Sequence, residues 1–294
     1  MTLHLQFARY LKGSKHPTLS QQLTRIGLFL TLCFLALALL APVLQAIGVL
    51  QSPTEFLDNP PHQPPSLEHW FGTTRLGYDV FSRTIFGSQV ALQVVVLATV
   101  LSLLVGVPLG MVSGYLGGRF DRILLFCMDT LYTLPGLLLS VTLAFVVGRG
   151  VLNAAIALSI AYVPQYYRVV RNHTVSVKTE LFIEAAQAIG ASTWQVLRRY
   201  LFLNVIQSVP VLFTLNAADA VLTLGGLGFL GLGLPDETPE WGYDLRQALD
   251  GLATGGIWWT ALFPGLAMTL MVVGLSFLGE GLNDWINPQR KVRE

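Results

Sequence analysis

The chain has 294 residues, of which 53% are hydrophobic and 12% charged, and its net charge is +1. Ordinary soluble domains are about a quarter charged, so this chain cannot cover a water-facing surface of the usual kind; with a mean hydropathy of +0.58, that largely excludes a soluble enzyme, a nucleic-acid binder and a disordered protein. Cys33 and Cys127 both lie inside apolar runs, which argues against a disulfide framework or a thiolate metal site.

A bilayer core about 30 Å thick takes about 20 apolar helical residues to cross, and stretches without Asp, Glu, Lys or Arg mark the candidates. Residues 1–25 form a polar tail. Residues 26–50 read as a retained anchor helix, too long for a signal peptide and lacking a small-x-small cleavage pattern. Residues 51–83 carry Pro53, Pro60, Pro61, Pro64 and Pro65 and read as an extended extracytoplasmic loop, either a surface for a soluble partner or a solvated connector. The stretch 84–118 would reach roughly 50 Å as one helix, so it must tilt, kink or project, with Pro108, Gly114, Gly117 and Gly118 as candidate breaks. Further spans fall at 130–148, 150–167, 200–235 and 251–279. The reading is an all-α membrane protein of six transmembrane helices: an anchor helix, a five-helix core over 84–282, an outer loop at 234–257 and a tail at 283–294.

Lys and Arg in the connections set orientation. Fourteen of the eighteen fall in the N-terminal tail, the turn after span two, the connection 168–199 and the C-terminal tail, whereas Arg75, Arg83, Arg149 and Arg246 fall on the other side. Both termini are therefore predicted to be cytoplasmic.

The cytoplasmic connection 168–199 is too long for a tight turn. Phe182, Ala185, Ala186 and Ile189 recur at helical spacing and predict one apolar face. Gly190 offers a left-handed stop, and Ser192 with Gln195 forms a capping-box pattern that would open a second helix. The segment reads as a folded knob, able to dock into a groove on another protein or to lie on the membrane surface. Asp129 and Asp219 fall inside apolar spans, where charges are costly and usually face a cavity or a partner. Asp129, near a cytoplasmic end, reads chiefly as structural, pairing with Arg122 or with another subunit; Asp219 stays open between structure and the substrate path. His4, His16, His62, His69 and His173 are dispersed and read as solvated, so no metal site is expected. Gly225, Gly226, Gly228, Gly231 and Gly233 form a small-residue ladder suited to close packing.

Glu184-Ala185-Ala186 with Gly190 resembles the E-A-A-x-x-x-G signature of ATP-binding-cassette (ABC) importer permeases. Phe71 to Arg83, Gly114-Tyr115-Leu116-Gly117-Gly118 with Asp121-Arg122, Phe229 to Gly233 with Thr238-Pro239-Glu240-Trp241-Gly242, Phe263-Pro264-Gly265 and Gly279 to Asp284 narrow the likeness to the second permease subunit of the dipeptide/oligopeptide/nickel group, over about residues 20–290. Thr74 and Tyr78 depart from the usual Asp and Arg, and Leu203 replaces a common proline before Asn204, pointing to a straighter start of span five.

The resemblance implies a type I importer permease of the prokaryotic inner membrane. It implies a second homologous permease, two ATPase subunits that carry ATP and Mg, and an extracytoplasmic binding protein; lipid surrounds the chain, and no nucleic acid is involved. The connection 168–199 would hold the coupling helix, with Glu184 in polar contact with the ATPase, Ala185 and Ala186 permitting close approach, Phe182 and Ile189 anchoring, and Gly190 setting the turn. No catalytic residue and no cofactor of its own are expected, since no G-x-x-x-x-G-K-[ST] loop occurs. The cargo implied is a dipeptide or oligopeptide, with glutathione or a nickel chelate as alternatives. An ion-coupled secondary transporter using Asp129 and Asp219 is the rival class.

Overall fold

A computed structural model describes residues 19–55 and 59–286, the side chains of residues 250, 253 and 254 excepted. Nine helices longer than one or two turns organise the described residues: α1 (Leu19–Ala46), α2 (Val80–Leu116), α3 (Gly118–Thr133), α4 (Gly136–Val147), α5 (Val151–Val177), α6 (Leu181–Ala188), α7 (Val209–Phe229), α8 (Trp241–Gly255) and α9 (Trp259–Ile286). One isolated bridge, Thr73 with Asp79, is the only β pairing among them. Four helical runs, Leu19–Ala46, Val80–Leu116, Thr193–Phe229 and Trp259–Ile286, are long and apolar enough to cross a membrane, and α3 with α4 supplies a fifth candidate as a bent pair.

α5 sits at the centre. Its Ala155, Leu158, Tyr166, Tyr167 and Val170 are fully covered, and a helix surrounded by protein need not be apolar all round, which is why α5 can carry Arg168 and Arg171. α2 runs parallel to it, and three glycines four residues apart make the contact. A Cβ on Gly106 would lie 2.6 Å from Tyr166 Cβ, one on Gly110 2.6 Å from the Tyr167 carbonyl, and one on Gly114 2.8 Å from the Arg171 carbonyl. Only hydrogen side chains admit backbones that close. α1 packs antiparallel on α9 by the same means: a Cβ on Gly27 would meet Leu278 N at 2.5 Å, and one on Gly274 would meet Leu30 Cβ at 2.9 Å.

Several expected boundaries move. The long second span passes through Pro108 and Gly114 as one 37-residue helix; it ends at Gly117 and Gly118, both at φ +66°. The third span does not start at 130. α3 begins at Gly118, and the chain bends by 90° before α4, because Pro135 cannot continue a helix and holds Leu134 extended. The fourth helix runs ten residues beyond 167 to Val177, so the first third of the connection 168–199 is helical. The outer loop 234–257 is mostly α8, and the last long helix starts at Trp259. Around Leu203 span five starts as one continuous helical run from Thr193, although a π-helical turn at Val196–Leu201 and a 3₁₀ turn at Ile206–Ser208 change its hydrogen-bonding register twice before α7.

The bundle has two unlike ends. One carries residues 51–55 and 59–79 with α8; the other carries the knob around α6. The first is built around Thr73, whose Oγ1 donates to the Pro60 carbonyl at 2.6 Å and accepts from Gln63 N at 2.8 Å. Thr74 and Tyr78, the departures from the family pattern, close their own turn, with Thr74 N donating to Tyr78 O at 2.9 Å and Tyr78 N to Thr74 Oγ1 at 3.1 Å. His69 is not solvated: it is buried, with Nδ1 3.2 Å from Asp79 Oδ1, and Asp79 Oδ2 accepts from Ser82 N at 2.8 Å to cap α2.

The glycine stripe carries a stability prediction. Gly106→Val forces α2 off α5 and costs about 1–3 kcal/mol, whereas Gly136→Ala, which adds a methyl to open space, changes little. Thermal unfolding of the detergent-solubilised protein separates the two, and equal midpoints would contradict the contact.

Candidate functional site: the knob, the loop end and the acids between

The knob is built from α6, Gly190 and the turn that follows. Glu180 precedes α6 in extended conformation. Gly190, at φ +89°, ends the helix in a conformation that costs a side chain about 1–2 kcal/mol. Ser192 and Gln195 form the expected capping box, Ser192 N donating to Gln195 Oε1 at 2.8 Å and Gln195 N to Ser192 Oγ at 3.4 Å. Beneath lie Ile183, Val196, Leu197 and Leu201, which pack with Met111, Val112 and Tyr115 at the end of α2. Gln187 Nε2 adds a bond to Tyr115 Oη at 3.1 Å.

The apolar face expected of α6 is therefore divided. Ala186 points inward and is 4% exposed, beside Ile183, which spacing did not single out. Phe182, Glu184, Ala185 and Ile189 point outward. Leu181 at 79%, Ile189 at 84% and Trp194 at 66% exposure leave the knob with an uncovered apolar surface, of the kind that marks an interaction site.

Asp129, on α3, is held by Arg168 of α5, whose Nε and Nη2 donate to Oδ1 at 3.0 and 2.7 Å. Its partner is thus Arg168 and not Arg122, because α5 continues past the expected end of the span. Arg168 also lies 4.2 Å over the Tyr132 ring. Asp121, in the G-Y-x-G-G-x-x-D-R turn, takes a bidentate pair from Arg171, at 2.6 Å to each oxygen. Among the described residues Asp219 has a single hydroxyl in place of a cation: Tyr162 Oη donates to its Oδ2 at 2.8 Å, and that same hydroxyl lies 3.3 Å from Thr223 Oγ1.

At the loop end, Arg83 is buried with its guanidinium on Asp244, Nε at 2.9 Å and Nη2 at 2.8 Å from Oδ1, and its Nη1 donates to the Pro53 carbonyl at 2.9 Å. This joins Pro53, α2 and α8. Trp241 Nε1 donates to the Thr84 carbonyl at 3.0 Å. Glu240 caps α8, accepting from Gly242 N and Tyr243 N at 2.8 Å each, and its carboxylate lies against Gly228 of α7. The T-P-E-W-G stretch thus fastens α8 to α2 and α7, and the small-residue ladder is where α7 receives it. Burial pushes the Glu240 carboxyl up to about 7, with the two backbone donors opposing.

Glu240 was legible only as part of a motif, and Tyr162, Thr223 and Ile183 not at all, since each is an ordinary residue of an apolar helix until its neighbour is known. The stripe Gly106-x-x-x-Gly110-x-x-x-Gly114, which marks the α2–α5 contact, was missed, although its four-residue spacing of small residues is the signal that could have found it.

The pattern for binding-protein-dependent transport system inner membrane components matches residues 106–292. A dipeptide transport system permease of Alkalihalophilus pseudofirmus is 34% identical over 272 residues, covering 92% of this chain and 87% of that one. Glutathione transport system permeases of Escherichia coli O157:H7 and Pectobacterium atrosepticum are 38% and 34% identical over 227 residues, covering 77% of this chain and 74% and 75% of theirs.

Because the folded Glu240 carboxyl titrates near 7 instead of near its unfolded 4.5, the folded state binds the extra proton between those values. Stability from this group is present at the acid end and is lost as pH rises through that window. Thermal midpoints of the solubilised protein should fall from pH 5.5 to pH 8, and Glu240→Gln should flatten that difference. An unchanged slope would contradict the assignment.

Proposed function

The chain belongs to the binding-protein-dependent transport system inner membrane components, the permeases of ABC importers, and from that membership we propose that it carries di- and oligopeptides inward. It is a multi-pass inner-membrane transport subunit and not an enzyme, working with ATPase and binding-protein partners. This sets aside the ion-coupled transporter. The finer reading is a six-span chain with both termini cytoplasmic, paired with a second homologous permease and two ATPase subunits that hold ATP and Mg. The cargo follows the relatives that move dipeptides and glutathione, glutathione being itself a peptide; a nickel chelate is the remaining alternative of the group.

The observation that carries the mechanism is the knob's divided surface. Its inner face, Ile183 and Ala186, is locked to the end of α2, so a force on the outer face is passed to the bundle. Phe182, Ala185 and Ile189 are the apolar contacts for an ATPase cleft, Glu184 the polar one, and Gly190 sets the angle at which they are presented. Ala186 serves by fitting under the knob. In this reading ATP-driven closure of the ATPase pair draws the knobs together, and α2, tied to α5 through the glycine stripe, moves with them. Asp129 serves structure through Arg168, and Asp219 stands on the path.

Glu184→Lys reverses a charge on the outer face and leaves the inner packing alone. The variant should insert normally, while uptake by the reconstituted complex falls about tenfold or more, the scale of losing a charge-assisted contact, and loaded binding protein no longer stimulates ATP hydrolysis. Wild-type uptake by that complex would overturn the coupling role.

A further inference from the structure

The three acids of α3 and α7 are handled in two ways. Asp121 and Asp129 lie towards the knob end and are neutralised by Arg171 and Arg168. Asp219 stands at the midpoint of α7 (Val209–Phe229) and has no cationic partner among the described residues. A carboxylate at that depth is expensive and is retained where a counter-charge arrives. Its surroundings are specific. Oδ2 accepts from Tyr162 Oη at 2.8 Å, and Tyr162 is itself fixed beside Thr223 and buried. The bonds to Asp219 given by the described residues fall on Oδ2, so Oδ1 remains open.

Asp219 also lies on an uncovered stripe. Leu215, Asp219, Leu222 and Phe229 recur at helical spacing and are all exposed. Behind this stripe, between α5 and α7, Tyr166 and Asn216 are buried neighbours, yet neither the Tyr166 hydroxyl nor the Asn216 Nδ2 makes a well-formed hydrogen bond. A rigidly held carboxylate with a free oxygen, flanked by leucine and phenylalanine at mid-membrane depth, is complementary to a small cation that carries apolar groups.

We propose that Asp219, braced by Tyr162 and Thr223, receives the free α-ammonium group of peptide cargo midway along the path. This rests on the peptide-import reading and adds to it a chemical class: cargo with an unblocked amino terminus. The braced geometry holds the carboxylate in place before the cargo arrives, so little ordering is needed on contact. Tyr162 is a positioning residue in this account, acting through Asp219.

The test uses the whole complex in proteoliposomes with saturating binding protein, and compares uptake of a dipeptide with uptake of its N-acetylated form. Wild type should prefer the free amine. Asp219→Asn should narrow that preference about tenfold, the scale of losing one charge-assisted contact, and Asp219→Glu should restore part of it. Tyr162→Phe, which leaves Asp219 charged but removes its brace, should narrow the preference less than Asp219→Asn does. An unchanged preference in Asp219→Asn overturns the inference and leaves the peptide-import reading standing. Loss of the second permease from the purified Asp219→Asn complex also overturns it, assigning Asp219 to a subunit contact. Uptake of neither peptide by wild type removes the premise and the inference together.

Discussion

The close approach of α2 to α5 is the constraint from which the rest of the architecture follows. In lipid there is little hydrophobic gain from joining two apolar helices, so association depends on packing and on bonds that close contact permits. Gly106, Gly110 and Gly114 bring the two backbones together. Once they are close, Lys178 Nζ reaches the Gly114 carbonyl at 2.9 Å, and Ser113 Oγ meets Tyr167 Oη at 2.7 Å. Arg171 can then clamp Asp121 across the Gly117–Gly118 turn. The knob is seated on the end of α2 that this contact fixes. A larger side chain anywhere on the stripe would loosen the joint between the knob and the centre of the bundle.

Charge placement follows a second rule. Low overall charge means that each ion within the bundle must be accounted for by a neighbour. Arg83 and Asp244 are both deeply buried and joined, where removing one partner would strand the other at a cost of about 3–5 kcal/mol. Arg149 and Asp236 pair in the open, where such bonds contribute little. Asp129 with Arg168 lies between these cases. Asp219 stands at mid-helix and is held, among the described residues, by the Tyr162 hydroxyl alone, and that placement makes it a functional candidate.

Much of the fold was readable because composition and local turn chemistry point the same way. Charge-free stretches located the long helices, and Gly190 with Ser192 and Gln195 announced the turn of the knob. What failed were features decided by tertiary contact. α3 starts early, at Gly118, and Pro135, which cannot continue a helix, turns the chain before α4. α5 runs on past Tyr167 because Arg168 and Arg171 find carboxylates on α3, which no count of local hydropathy contains. Glu240 and Trp241, polar and aromatic residues in an apparent loop, begin a helix because Gly228 and Gly242 make room for it. At the knob, spacing identified the helix but divided its faces wrongly: Ala186 turns inward because Ile183, one turn before it, is the true anchor.

The account rests on the outward face of α6 meeting an ATPase. With Cys33 and Cys127 replaced, single cysteines at Ile189, on the outer face, and at Phe145, an exposed position on α4, can be tested for oxidative cross-linking to ATPase subunits carrying cysteines along their docking cleft. The account predicts a cross-linked permease–ATPase band from Ile189→Cys, strengthened or weakened by ATP, and none from Phe145→Cys. Absence of any such band from Ile189→Cys in a complex that still transports would contradict it.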